Sequence, residues 1–516
     1  MGAIITILFL LMRILDFITT PLFKYRARNN RHHLPPFTND VLRISATHIA
    51  RKIRNGELSS IQICEAYIQR IKEVNPILNA VVEERFKEAL HDANLVDEYL
   101  KTTSLNSREL SKIKPLLGVP ITIKESCSVK GMSLCVGLKS RVGYKASVDG
   151  EVVARLKTSG AIILLVSNTP EMSYSWETFN NVTGYTNNPY DTTCTAGGSS
   201  GGEGALLGSA ASLVGIGSDI AGSIRLPALF NGIFGHKPTP RVISIKGHWP
   251  QGIDDRYQDF LVIGPLTRYA SDLNLMMKVM CSDKWNLELK LNKEVQLSKL
   301  KVFYVEDIRG SVALPKVSPE MREIVRCSVK YLWKNCGVSI MDYHFPEFSN
   351  VHLVCISELF TLKDIPNAIK WENASYPIEL IKSLIGKSKF SFNLMYSYFV
   401  QGIYKYAVGN HTQENLALKE KIISQLGTNG VIILPTSIGS AHKHNQMYFK
   451  NIYSYLVIAN ALGLPSTHVP CGFDRSGLPI GVQILAAPYQ DRLCLAVAQE
   501  LERCFGGWVP PPEETV

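Results

Sequence analysis

Residues 197–225 read GGSSGGEGALLGSAASLVGIGSDIAGSIR, and the architecture can be worked out from this segment outward. A turn of small residues, Gly197–Gly204, opens a helical run from Ala205 to Ala211. A short apolar strand follows at Ser212-Leu213-Val214-Gly215-Ile216, and a second small-residue turn runs from Gly217 to Arg225. Strands that are apolar throughout and alternate with helices belong to an α/β sheet covered on both faces. A glycine-rich loop opening a helix is also a phosphate cradle. Here the GxxxxGK[ST] pattern is missing, and no GxGxxG follows a strand with an acidic residue suitably downstream, so a nucleotide site is disfavoured.

Upstream, Leu117-Gly-Val-Pro-Ile-Thr-Ile123 reads as a strand after a turn, and Ala161–Val166 as a fully buried strand; Val431–Pro435 and Gly481–Leu485 add two more. Ser59 and Gln62 form a capping box ahead of Ile63, Tyr67, Ile71 and Val74 at helical spacing, with Asn75-Pro76 expected to end that helix. A second helix is expected from Arg85 to Leu100, while residues 34–58 read as a linker and first helix. No internal repeat is apparent.

The chain has 516 residues, 46% hydrophobic and 19% charged, with net charge +10. That is enough for a large core and excludes wholesale disorder. Lys24, Arg26, Arg28 and Arg31 follow an apolar stretch, the other basic residues are scattered, and no zinc-finger or RNP-type motif is present, which argues against nucleic acid. Eleven cysteines stand singly without a CxxC pair, the pattern of buried thiols in a reducing compartment. Residues 3–23, AIITILFLLMRILDFITTPLF, have the length of a single bilayer span, although Arg13 and Asp16 each make it costlier. The expectation is a single-pass N-terminal anchor over residues 1–33, in an endomembrane, followed by a catalytic domain over 34–516. The basic flank places that domain in the cytosol by the positive-inside tendency, whereas sequons at Asn181, Asn373 and Asn410 would suit a lumenal one. Residues 380–407, rich in Phe, Tyr and Lys, read either as core-packed helices or as an apolar, basic-flanked surface at a membrane or acyl-chain entrance.

The chemistry concentrates at three places. Four consecutive backbone N–H groups in the turn at 217–225, with a serine at the end, can surround a developing oxyanion while Ser223 attacks. A serine needs a base, and His236 has no acid obviously placed to orient it. Lys124 ends an apolar strand, where α/β active sites collect, and a lysine in a desolvated pocket gives up its proton more readily.

Pro120-Ile-Thr-Ile-Lys124-Glu, Gly197-Gly-Ser-Ser-Gly-Gly202 and Gly217-Ser-Asp-Ile-Ala-Gly-Ser223-Ile-Arg225 stand in the order and at the separations of the amidase-signature family, and the chain resembles that family over roughly residues 40–510. Asn187–Tyr190, Phe230–Pro238, Leu462–Pro465, Phe505–Trp508 and the apolar N-terminus make the resemblance strongest to its fatty-acid amide hydrolases. The resemblance implies a single large α/β domain with a mixed, twisted sheet core covered by helices on both faces. It implies Ser223 as nucleophile, Lys124 as neutral base and later acid, and Ser199, at a cis peptide, as proton shuttle. The oxyanion hole falls on Ile220, Ala221, Gly222 and Ser223, with Ser200, Asp219 and Arg225 in support. It requires neither metal nor cofactor. One departure is Ala221, where the family usually has glycine; its methyl fits unless the position needs positive φ.

The function so implied is hydrolysis of fatty-acid primary amides or N-acylethanolamines to free acid and amine, through an acyl-enzyme, at a membrane. The alternatives are another small amide or ester as substrate, or a non-catalytic lipid-binding relative; a glutamine-transamidating subunit is disfavoured by the apolar N-terminus. The sequence leaves open whether the chain works alone or as a homodimer. Deleting residues 1–33 is expected to leave catalysis intact. His442-Lys443-His444 reads as a polar loop rather than metal ligands, Cys127 as an inert packed thiol, and Met172 and Trp176 as lining either core or acyl pocket.

Overall fold

The computed structural model describes residues 2–27, 30–37, 39–308, 315–343, 345–363, 365–407, 411–450 and 452–512. Its centre is an 11-stranded sheet. In chain order the strands are β1 (Val81–Glu84), β2 (Pro120–Lys124), β3 (Ile162–Ser167), β4 (Val214–Asp219), β5 (Phe234–Lys237), β6 (Val262–Thr267), β7 (Lys301–Tyr304), β8 (Ser339–Ile340), β9 (Gly430–Pro435), β10 (Ser466–Phe473) and β11 (Pro479–Ala486). Across the sheet they run β1-β3-β2-β4-β6-β5-β10-β11-β9-β7-β8. The pairs β3–β2, β2–β4, β9–β7 and β7–β8 are parallel, and the others antiparallel. The sheet is therefore mixed. β2, β3, β4, β6, β9 and β11 are buried along their whole length, as strands sandwiched between helical layers must be.

All five sequence-derived strands are present within a few residues. The helix after the capping box, Ser60–Leu78, has that box as expected, but it passes through Pro76. A proline near a helix's end removes one N–H without forcing the last turn open. The stop comes at Asn79, in the left-handed region at φ 51°, while Asn75 Oδ1 accepts the N–H groups of Ala80 and Val81.

Residues Gly2–Ala27 are helical, yet among the described residues no helix is long and apolar enough to cross a membrane. The expected single-pass anchor is thus not found. Arg13, Asp16, Lys24 and Arg26 interrupt the apolar run, and the helix is fastened to the body instead. Asp16 pairs with Lys450 at 2.9 Å, Thr20 Oγ1 accepts from Gln446 Nε2 at 3.0 Å, and Phe23 meets Phe449. Its opposite side carries exposed Phe17, Ile18 and Leu22. The 380–407 region contains the end of one helix, Tyr376–Leu384, and all of a second, Phe392–Ala407. The second buries Leu394, Met395 and Tyr398 in a small core, while the first leaves Ile378, Ile381 and Leu384 exposed. The core-packed reading holds for the second helix, and the first presents an apolar face to solvent.

All eleven cysteines are free. Asn410 lies outside the described residues.

Candidate active site

The parallel pairing of β2 with β4, Ile123 opposite Ile216, brings the carboxyl ends of two buried strands side by side. Lys124 closes one strand, and Ser218 and Asp219 close the other. The turn at 197–200 drops onto them before the helix Gly201–Gly208 begins. Lys124 is fully buried, with Nζ 2.7 Å from Ser199 Oγ and 3.1 Å from Ser218 Oγ. The Gly198–Ser199 peptide is cis. Burial brings the lysine down to about 7, although Cys127, Asp219 and Glu203 partly oppose the shift. A neutral amine at ordinary pH is therefore within easy reach.

Ser223 is buried and borders two cavities. One, a small cavity, also has Ser199, Ser218, His248 and Ile220 in its walls. The second is a largely apolar cleft whose walls include Trp176, Tyr396, Val400, Phe360, Tyr453 and Met12, with Ile220 and Ala221 beside Ser223. Trp176 stacks on Tyr453 and donates Nε1–H to the Ala221 carbonyl at 2.9 Å, so the apolar wall is bolted to the turn carrying the serine. Trp176 thus lines the large cleft, while Met172 is mostly core and touches only the smaller cavity.

The turn is held from below by Asp219. Its carboxylate accepts from Gly222 N at 2.6 Å, Ile224 N at 3.1 Å and the Arg225 guanidinium, in a pair with no solvent exposure. Burial pushes this acid up, but the charge and hydrogen bonds of Arg225 outweigh it and leave Asp219 at about 2. Arg225 is held in turn by Gln483 and Asn460. The positive φ in the turn falls on Gly222, at 104°, where an added Cβ would lie 2.6 Å from Leu456; Ala221 is not among the positive-φ residues. The departure from the family pattern is therefore accommodated. One feature of the expected oxyanion hole changes: the Gly222 N–H already donates to Asp219, so of the four expected donors only those of Ile220, Ala221 and Ser223 lack that commitment. Ser200 joins the two motifs, its N–H donating to the Ser223 carbonyl and its hydroxyl to that of Ser218.

His236 does have an acid, Asp491, 255 residues along the chain. With Thr467 that pair ties β5 into the sheet, and it does not line the serine cavity. The 442–444 loop is occupied structurally: Lys443 pairs with Asp191 and His444 with Glu177. Cys127 is buried, which pushes its thiol up to about 12. Two neighbours of the lysine went unassigned from sequence. Ser218 lay inside a motif without a role, and His248 gave no signal at all.

A mixed α/β sheet thus places a buried lysine beside Ser218 at adjoining strand ends, with Ser199 and Ser223 on the turns next to them. The profile of the Amidase family matches residues 62–495, and the chain belongs to that family; it is an amidase acting on carbon–nitrogen bonds. It is similar to fatty-acid amide hydrolase 2-B of Danio rerio, 39% identical over 492 residues that cover 93% of each chain. Fatty-acid amide hydrolase 2 of Homo sapiens is 36% identical over 489 residues, 92% of each chain. Among solved structures, a fatty acid amide hydrolase aligns with TM-score 0.70 over 92% of this chain and 87% of that one, at 23% identity, a likeness of fold.

Proposed function

We propose that the protein hydrolyses long-chain fatty-acid amides, primary amides or N-acylethanolamines, through a Ser223 acyl-enzyme with Ser199 and Lys124 as the proton relay. The observation that carries this reading is the 2.7 Å contact of Lys124 Nζ with Ser199 Oγ, Ser199 lining a small cavity together with Ser223, and Ser223 also lining a largely apolar cleft. Ser223 Oγ attacks the amide carbonyl while its proton passes to Ser199 and the proton of Ser199 to neutral Lys124. The carbonyl oxygen, now negative, receives the N–H groups of Ile220, Ala221 and Ser223. The same relay run backwards puts the proton on the nitrogen, and the C–N bond breaks to release a neutral amine. Water then enters and attacks the acyl carbon as it loses a proton to the relay, which returns that proton to Ser223 Oγ as the acyl–oxygen bond breaks and the acid is freed.

The acyl chain occupies the cleft between the helices Val351–Phe360 and Phe392–Ala407. Exposed Phe17, Ile18 and Leu22 on one helix and Ile378, Ile381 and Leu384 on another, with Lys382 and Lys387 nearby, support association with a membrane surface by helices lying on it rather than through it.

The test is labelling of the purified protein with a fluorophosphonate probe, peptide mass mapping of the adduct, and hydrolysis of oleamide against a short-chain amide. An adduct on Ser223 with preference for oleamide is expected. A folded protein without an adduct would overturn the mechanism, and equal turnover of both amides would overturn the substrate class.

A further inference from the structure

We propose that His248 is a positioning residue for the reaction: acting through Ser218, it fixes which way the Lys124 amine points, so that the lone pair faces Ser199. This rests on the reading of Lys124 as the base.

The argument follows the protons. His248 is buried, its Nδ1 3.2 Å from the Pro250 carbonyl and its Nε2 3.0 Å from Ser218 Oγ. Burial, reinforced by the charge of Lys124, lowers it to about 3, so the ring is neutral and carries one proton. A carbonyl only accepts, so that proton sits on Nδ1 and Nε2 is an acceptor. Ser218 must then donate its hydroxyl hydrogen to Nε2, which leaves its oxygen to accept from Lys124 Nζ, 3.1 Å away. One N–H of the amine is thereby pinned to Ser218. The lone pair is left for Ser199 at 2.7 Å. Once Lys124 has taken the proton, the same chain still holds: the ammonium donates to Ser218, and Ser218 donates to His248. The arrangement serves base and acid halves of the cycle without rotating.

Without an acceptor at position 248, the cheapest partner for the buried Ser218 hydrogen is the lysine lone pair itself, since an unpaired buried donor is costly. That lone pair would then be unavailable to Ser199. The other groups facing Lys124 do not substitute. Asp219 is engaged by Arg225, Glu203 accepts from Thr122, Cys127 is held as a thiol, and Ser126 lies 3.5 Å from Ser218 Oγ.

The experiment compares His248→Phe, His248→Gln and the double variant His248→Phe/Ser218→Ala, each checked for thermal unfolding, on an amide and its matched ester. Phe removes the acceptor, whereas Gln brings an amide oxygen to where Nε2 stood. His248→Phe is expected to lower kcat for the amide by about ten- to a hundredfold, the scale of one misdirected hydrogen bond at a proton-transfer group, with KM within about twofold and the ester less affected. Gln is expected to stay within about threefold of wild type. Adding Ser218→Ala to the Phe variant should raise activity again, because the competing hydroxyl is gone. Should Phe not fold, Gln against Asn makes the same comparison, since only Gln reaches Ser218. Equal loss in the Phe and Gln variants, no recovery in the double variant, or full activity of His248→Phe would overturn the assignment while leaving Lys124 as base. Wild-type turnover that survives Lys124→Ala would overturn the proposed function and this inference with it.

Discussion

Replacing Lys124 with methionine removes the proposed base and also changes how stability responds to pH. A free lysine holds its proton up to about pH 10.4, whereas Lys124 in the folded chain lets it go at about 7. Between those values the unfolded chain binds one more proton than the folded one, so the lysine costs stability there. Below pH 7 both states are protonated and the cost is at its full value. It shrinks as pH rises through the window and vanishes once both states are neutral, above about 10.4. Each unit is worth about 1.4 kcal/mol, so at pH 7.5 the lysine costs about 4 kcal/mol. Methionine leaves the Ser199 and Ser218 hydroxyls without their Nζ partner, which returns about 1–3 kcal/mol. The variant should therefore be slightly the more stable protein at pH 7.5. The slope is a cleaner quantity than the sign, because the hydroxyl contribution does not change with pH. From pH 7.5 to 9.5 the wild type should gain about 2–3 kcal/mol on the variant. With an unfolding entropy of about 1.1 kcal/mol/K for a chain of 516 residues, that is a relative Tm shift of about 2–3 °C. Calorimetric melts of both proteins at the two pH values measure it. A Tm difference that stays constant or moves the other way would show that Lys124 is charged in the folded state, and the neutral-base mechanism would fall.

Three further outcomes follow from the geometry. Amide kcat/KM should fall on the acid side with a midpoint near 7, the value set for Lys124 by burial; at pH 6 it should be about one-tenth of its plateau, and a midpoint below 5 in a pH–rate profile would contradict this. Asp219→Asn should lower stability by about 3–5 kcal/mol, because Arg225 is left buried without its counter-charge; a urea midpoint unchanged from wild type would refute the structural account of the turn. Met12→Trp should raise KM for oleamide severalfold and leave a short-chain amide within about twofold, since Met12 lines only the large cleft; equal effects on both substrates would show that this helix does not border the acyl site.

The local parts of the architecture were legible because their causes are local. Small residues at 197–204 and 217–225 permit tight turns, unbroken apolar runs at 162–166 and 431–434 make buried strands, and a serine and glutamine three apart cap a helix. Strands such as Phe234-Gly-His-Lys237 and Val262-Ile-Gly-Pro-Leu-Thr267 escaped notice for the complementary reason. Glycine, proline and charged residues there contradict strand propensity, and only partners from distant sequence make them strands. The N-terminal segment reads as a span because its length and apolar run outweigh Arg13 and Asp16, whereas in the folded chain Lys450, 434 residues away, pairs with Asp16.

The sequence alone determined that this is an α/β hydrolase of the amidase family with a lysine and serines on glycine-rich turns. Those motifs are short, and their spacing is written in the chain. The tertiary structure decided the surroundings of the lysine's amine. Burial that lowers Lys124 and the alignment of β2 with β4 that sets Ser218 beside it arise only when remote segments pack together. So does the arrival of His248 from the loop after β5. Hydrogen-bond direction and desolvation are properties of that assembly, and no local pattern of residues encodes them.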